Sequence, residues 1–268
     1  MKWLNFLIFL FFSTTTWASL KISCSHEEIC KLVNKIDKSI ETEVLVDIKG
    51  DPHEFEPSSS EIKNFLNAKI LITGPIELNP WIKKINYQRS KNSNLQTFNF
   101  SISDDLQKLY NSNNKEALSH FWLYPQIYCD FQKQLITFNI FNKKINNVSC
   151  NSKVIELEIS EAFKKINSPI ILTHDALYPL FKKYVPKNIN IINLKGSGHH
   201  EEISPTIIKE IYKLNDPKII WIIENNMAIP DALKNKIKNT DKKILIDTAK
   251  SSDTNDFSIL KKLINGLN

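Results

Sequence analysis

Asp51-Pro52-His53-Glu54-Phe55-Glu56-Pro57-Ser58-Ser59-Ser60-Glu61-Ile62 sets a histidine between two prolines. Proline fixes its own φ and restrains the residue before it, so His53 belongs to a stiff loop and not to a helix. The apolar run Val44-Leu45-Val46-Asp47-Ile48 just before it predicts a strand over 43–48. Ser58, Ser59 and Ser60 are N-cap candidates for a helix over 60–67. His53 therefore stands at the carboxyl end of a strand, in the passage to a helix, where open α/β sheets bind ligands. A lone loop histidine is more often just solvated, so its meaning depends on what recurs elsewhere.

The same logic does recur. Strands are predicted over 20–24, 69–74 and 95–102, with helices over 27–36 and 78–85 among them. A helix over 126–145 and a second over 153–166 follow. Pro169-Ile170-Ile171-Leu172-Thr173 is a short apolar strand that ends on His174, and Ile244-Leu245-Ile246 ends on Asp247. Between them come strands over 189–194 and 219–223 and helices over 205–214 and 231–238. Alternating strands and helices favour right-handed β-α-β units and parallel sheets.

Four short motifs carry a family resemblance. Asp51 to Ser58, Ser119-His120-Phe121-Trp122-Leu123-Tyr124-Pro125 and His174-Asp175-Ala176-Leu177-Tyr178 are three of them, and Asp247 at its strand end is the fourth. They resemble the solute-binding proteins of zinc and manganese ABC transporters. The resemblance covers most of the chain after the leader and is weakest between residues 125 and 165. It implies an α/β fold of two lobes, each a parallel sheet flanked by helices, joined by a long linker helix, with the metal in the interlobe cleft. It implies His53, His120, His174 and Asp247 as ligands. Its boundaries would be a leader over 1–18, a first lobe over 19–121, a linker helix over 122–148 and a second lobe over 149–268. Ser119 and Tyr124 stand where the family pattern has proline and aspartate, so the carboxylate that orders this loop in the family is missing.

Three imidazoles and one carboxylate are four ligands, the number zinc takes in a closed tetrahedral site. Nitrogen donors favour zinc, and manganese prefers more oxygen, so Zn²⁺ leads and Mn²⁺ is second. The family's manganese members carry glutamate where this chain has His174. The ligands are spread along the chain and no H-E-x-x-H pair is present, which argues against a catalytic zinc enzyme. The expected function is an extracytoplasmic receptor that delivers the ion to an ABC permease. The alternatives are a zinc hydrolase with Glu224 or Asp175 as general base, or an adhesin of the same fold. Asp175 and Glu224 are also candidates to brace the ligands. His199-His200-Glu201-Glu202 reads as a polar loop rather than a second capture site, and His26 as structural or solvated.

Among 268 residues, 42% are hydrophobic and 24% charged, ordinary for a globular chain. The net charge of +6 is spread without a basic block, which gives no case for nucleic acid. Lys2, the apolar run Leu4 to Phe12 and Ala18 form an export leader. Cys24 lacks the setting of a lipoprotein site, so a soluble, monomeric periplasmic protein is expected. Four cysteines in an oxidising compartment suggest disulfides. Three pairings are open, and proximity along the chain favours Cys24–Cys30 and Cys129–Cys150.

Overall fold

The computed structural model describes residues 20–46, 55–110, 112, 115–141, 149–194, 203–215, 217–225, 229–248 and 257–268. The leader, His53 and the His199-His200 pair lie outside the described residues.

Two parallel sheets of four strands repeat one topology. The first is formed by β1 (Lys21–Cys24), β2 (Glu41–Val44), β3 (Ile70–Thr73) and β4 (Gln96–Asn99), in the order β2-β1-β3-β4. The second is formed by β5 (Ile170–Leu172), β6 (Ile191–Asn193), β7 (Ile220–Glu224) and β8 (Lys242–Ile246), in the order β6-β5-β7-β8. Every pairing is parallel. Strand order reverses between β1 and β3 and again between β5 and β7. At each reversal the chain leaves a crevice at the carboxyl ends of the strands. The residues that follow β1 and β5 are therefore the ones best placed to meet a ligand.

Helices cover the sheets. In the first half these are α1 (Glu27–Ile36), α2 (Ser59–Asn67), α3 (Ile82–Arg89), α4 (Asp104–Leu109) and α5 (Lys115–Leu118). The bridge is α6 (Pro125–Ile136), and α7 (Ser152–Lys164), α8 (Tyr178–Tyr184), α9 (Pro205–Lys213), α10 (Asp231–Lys234) and α11 (Ser258–Leu267) follow. The start of α2 shows why these helices begin where they do. Glu61 N–H donates to Ser58 Oγ, and Ser58 N–H donates to the Glu61 carboxylate (2.7 Å), a reciprocal capping box.

Alternation along the strands divides the core. Ile22, Cys24, Ile70 and Ile72 of the first sheet face the same apolar cluster as Ile170, Leu172, Ile220, Ile222, Ile244 and Ile246 of the second. The opposite faces turn to smaller outer clusters, Leu71 with Phe65 and Ile82, and Ile171 with Trp221 and Ile223. This is the period of two expected of strands buried on both faces. Two lobes joined by a linker need not share a core. Here the inner faces share one, through Phe121, Leu123, Ile127 and Phe131 on and before α6.

Four elements depart from the sequence reading, and two of them simply shift or shorten: α3 covers Ile82–Arg89 rather than 78–85, and α10 stops at Lys234 rather than 238. The bridge helix stops at Ile136 rather than 145, because Thr137 Oγ1 donates back to Gln134 O (2.6 Å) and the chain turns through 137–141. The second strand sits at 41–44 rather than 43–48, in register with β1 through Lys21 opposite Glu41. Both favoured disulfides are present, Cys24–Cys30 and Cys129–Cys150, each with Cα atoms 5.6 Å apart.

Candidate metal centre

His174 follows β5 at the reversal of the second sheet and is buried. It caps the 3₁₀ turn Asp175–Leu177, where Ala176 N–H donates to its Nδ1 (3.1 Å). The Asp175 carboxylate lies 3.8 Å from that nitrogen. A neutral imidazole that accepts at Nδ1 carries its proton on Nε2. For Nε2 to hold a metal, that proton must move to Nδ1, and Asp175 is the nearby carboxylate able to receive a hydrogen bond from it.

His120 precedes the 3₁₀ turn Phe121–Leu123 that leads into α6, and its side chain is fully buried. Its ring meets that of His174 edge to face, with centroids 5.3 Å apart. The structure thus brings together two of the predicted ligands from parts of the chain far apart in sequence. Asp247 directly follows β8 and is half-buried. Among the described residues no three His, Cys, Asp or Glu side chains stand close enough to hold an ion. His53, the remaining predicted ligand, lies outside them.

Glu224, at the end of β7, joins the carriers of His174 and Asp247. Its N–H donates to Thr173 Oγ1 (2.8 Å), and its Oε1 accepts from Thr248 N–H (2.7 Å). Thr173 precedes His174 and Thr248 follows Asp247. Burial holds the Glu224 carboxyl above the usual carboxylate range; Asp247 pushes the same way, and the Thr248 bonds and His174 oppose. A cation beside Glu224 would favour its ionised form and offset this cost of burial.

Trp122 reaches furthest. Its indole N–H donates to Thr248 O (2.9 Å), 126 residues away. One face stacks on His26 at 4.7 Å, and its ring meets His120 edge to face at 5.3 Å. His26 is buried and caps α1 through Nδ1, which accepts from Glu28 N–H (3.2 Å). Sequence reading placed His26 correctly as a structural candidate. It missed the reach of Trp122 to Thr248, for which the sequence carries no signal beyond the tryptophan's place two residues after His120.

Comparison with known proteins agrees with this geometry. The family model described as ZnuA, zinc-uptake complex component A, periplasmic, matches residues 22–267. The iron ABC transporter substrate-binding lipoprotein MtsA of Streptococcus pyogenes serotype M1 is 29% identical over 228 residues, covering 76% of this chain and 71% of that protein. The manganese ABC transporter substrate-binding lipoprotein PsaA of Streptococcus anginosus is 26% identical over 226 residues, covering 76% and 72%. Among solved structures, the laminin-binding protein Lmb of Streptococcus agalactiae, titled a bifunctional protein with adhesin and metal transporting activity, aligns with TM-score 0.67 at 17% identity. That alignment covers 93% of this chain and 97% of Lmb, and it speaks to the fold. The family consists of substrate-binding components of transporters and not of enzymes, so the hydrolase alternative falls. With its two parallel sheets and a match running from Ile22 to Leu267, the chain belongs to the zinc-uptake complex component A family of ABC-transporter metal receptors.

Proposed function

We propose that this protein captures one divalent transition metal outside the cytoplasm and hands it to an ABC permease, with Zn²⁺ as the preferred cargo and Mn²⁺ second. The ligands in this reading are His53, His120, His174 and Asp247. The observation that carries it is the meeting of His120 and His174 at 5.3 Å, two buried imidazoles from opposite sides of the bridge helix. Burying two imidazoles edge to face has little structural reward, and they are the donors zinc selects. The proposed lobes are 19–121 and 149–268, with 122–148 between them.

Relatives named for iron and for manganese leave the cargo to donor chemistry, and a set rich in nitrogen favours zinc. The relatives are named lipoproteins. In this chain the sulfur of Cys24 is committed to Cys30, which supports an exported protein without a thioether-linked lipid at that cysteine. No helix among the described residues is long and apolar enough to cross a membrane.

The experiment is metal analysis of the exported protein followed by zinc and manganese titration of single variants. One ion per chain is expected. His120→Ala and His174→Ala each lose most zinc affinity, because each removes a nitrogen donor. Asp247→Ala loses less for zinc, where water can replace an oxygen donor, and more for manganese. Parent-like zinc binding by both histidine variants would end this reading.

A further inference from the structure

Tyr124 stands where the family pattern has an aspartate, and the structure gives the tyrosine a specific task. It is the last residue before α6 and is fully buried. Its hydroxyl donates to Ala176 O (2.5 Å) and lies 3.2 Å from Ala117 O. Its ring rests edge-on against Tyr110, with centroids 4.9 Å apart. Ala176 is also the residue whose N–H donates to His174 Nδ1 (3.1 Å). One alanine of the turn after His174 thus receives the tyrosine on its carbonyl, while its amide caps the ring as long as Nδ1 is unprotonated. Tyr124 itself lies four residues after His120, on the other side of the turn Phe121–Leu123.

We propose that Tyr124 is a positioning residue of the metal site, tying the turn that carries His120 to the turn that carries His174 through Ala176. The inference rests on the reading of these histidines as ligands. Chemistry explains why tyrosine and aspartate cannot do the same job. An ionised carboxylate accepts hydrogen bonds and a phenol donates one. The acceptor here is a backbone carbonyl, which a carboxylate would repel. Burial, with Asp175 and Tyr110 adding to it, pushes the Tyr124 phenol well above its ordinary pKa, so it remains a donor throughout the physiological range. The bond is also out of reach of solvent, where no water can replace it.

The test is zinc affinity by chelator competition and zinc release by stopped flow, on the full-length exported protein. Tyr124→Phe keeps the ring and removes one oxygen. It is expected to weaken zinc binding about tenfold, the loss of one buried hydrogen bond and its stranded carbonyl, and to speed release by a similar factor. Tyr212→Phe is the matched control, since Tyr212 also donates its hydroxyl to a backbone carbonyl, Ala232 O (2.7 Å), away from the site. It should bind zinc like the parent. Ala176→Gly keeps both hydrogen-bonding groups but loosens the turn; it should shift affinity the same way and serves if Tyr124→Phe does not fold. Parent-like affinity and release in Tyr124→Phe, with or without a lower melting temperature, would overturn the inference while His174→Ala still loses zinc. Parent-like binding by His174→Ala would instead overturn the ligand reading beneath it.

Discussion

Trp122→Phe tests whether the bond from the His120 turn to the residue after Asp247 matters for binding as well as for folding. The indole N–H donates to Thr248 O at 2.9 Å in a buried setting. Phenylalanine deletes the donor and leaves a buried carbonyl unpaired, a cost of about 1–3 kcal/mol. The smaller ring also gives up part of the stack on His26 and the edge contact with His120, about 1 kcal/mol more. A total of ~3 kcal/mol lowers the melting temperature of a protein this size by roughly 6 °C. If the bond also sets the position of Asp247 relative to His120, part of that energy appears as lost affinity. About 1 kcal/mol would be a fivefold weaker zinc site. Thermal melts of the variant with and without zinc read both quantities, with chelator competition as an independent measure. A variant that melts about 6 °C lower yet gains the parent's full stabilisation from zinc would show that Trp122 fastens the fold and does not tune the site. An unchanged melting temperature would show that the bond contributes nothing.

Two further outcomes follow from the same structure. Replacing Cys129 and Cys150 together by serine opens a loop closed across a sequence separation of 21 residues. It should cost about 2–4 kcal/mol in urea denaturation and leave zinc affinity near that of the parent, and a large loss of affinity would mean that the bridge shapes the site. Glu224→Gln keeps an acceptor for Thr248 N–H and removes a charge that burial disfavours. Because the folded chain holds the Glu224 proton to a higher pH than the unfolded chain, this group's contribution to stability falls as pH rises from the ordinary carboxylate range through the raised folded value. The metal-free variant should therefore gain on the parent as pH rises above the ordinary glutamate value of about 4.3, and a stability difference that does not change with pH would contradict the burial argument.

What was legible in the sequence follows from which forces are local. The helix over 27–36 was placed to the residue, because its apolar stripe and acidic first turn are written within one segment. The capping serine of α2 was legible for the same reason. The end of α6 was not, since Phe138 and Phe141 keep helical spacing while Thr137 bonds its own turn and stops the helix. The short helices α4, α5 and α8 and the terminal α11 were not anticipated. Two of the predicted ligands, His120 and His174, could be brought together only by tertiary packing, although each is singled out from its own short motif. The bonds that fasten them were invisible. Trp122 to Thr248 and Tyr124 to Ala176 span 126 and 52 residues, and no periodicity reports a contact at that range.

His26 and His174 occupy equivalent places in the two sheets, and only His174 is proposed as a ligand. Each follows the first strand of its sheet, at the reversal of strand order. Each caps the next helical turn by accepting, at Nδ1, the N–H two residues on, at 3.2 and 3.1 Å. The two lobes thus use one local solution twice. What separates the histidines is what lies against the ring. His26 has the indole of Trp122 across its face at 4.7 Å, nearly parallel, so that face is packed by an apolar group. His174 meets the edge of a second imidazole and lies 3.8 Å from the Asp175 carboxylate. A divalent ion needs nitrogen and oxygen donors that converge, with negative charge nearby. The first lobe covers its switch-point histidine with tryptophan and turns it into a brace for the His120 turn. The second lobe surrounds its own with carboxylates and a second imidazole, and so keeps the same backbone device available for chemistry.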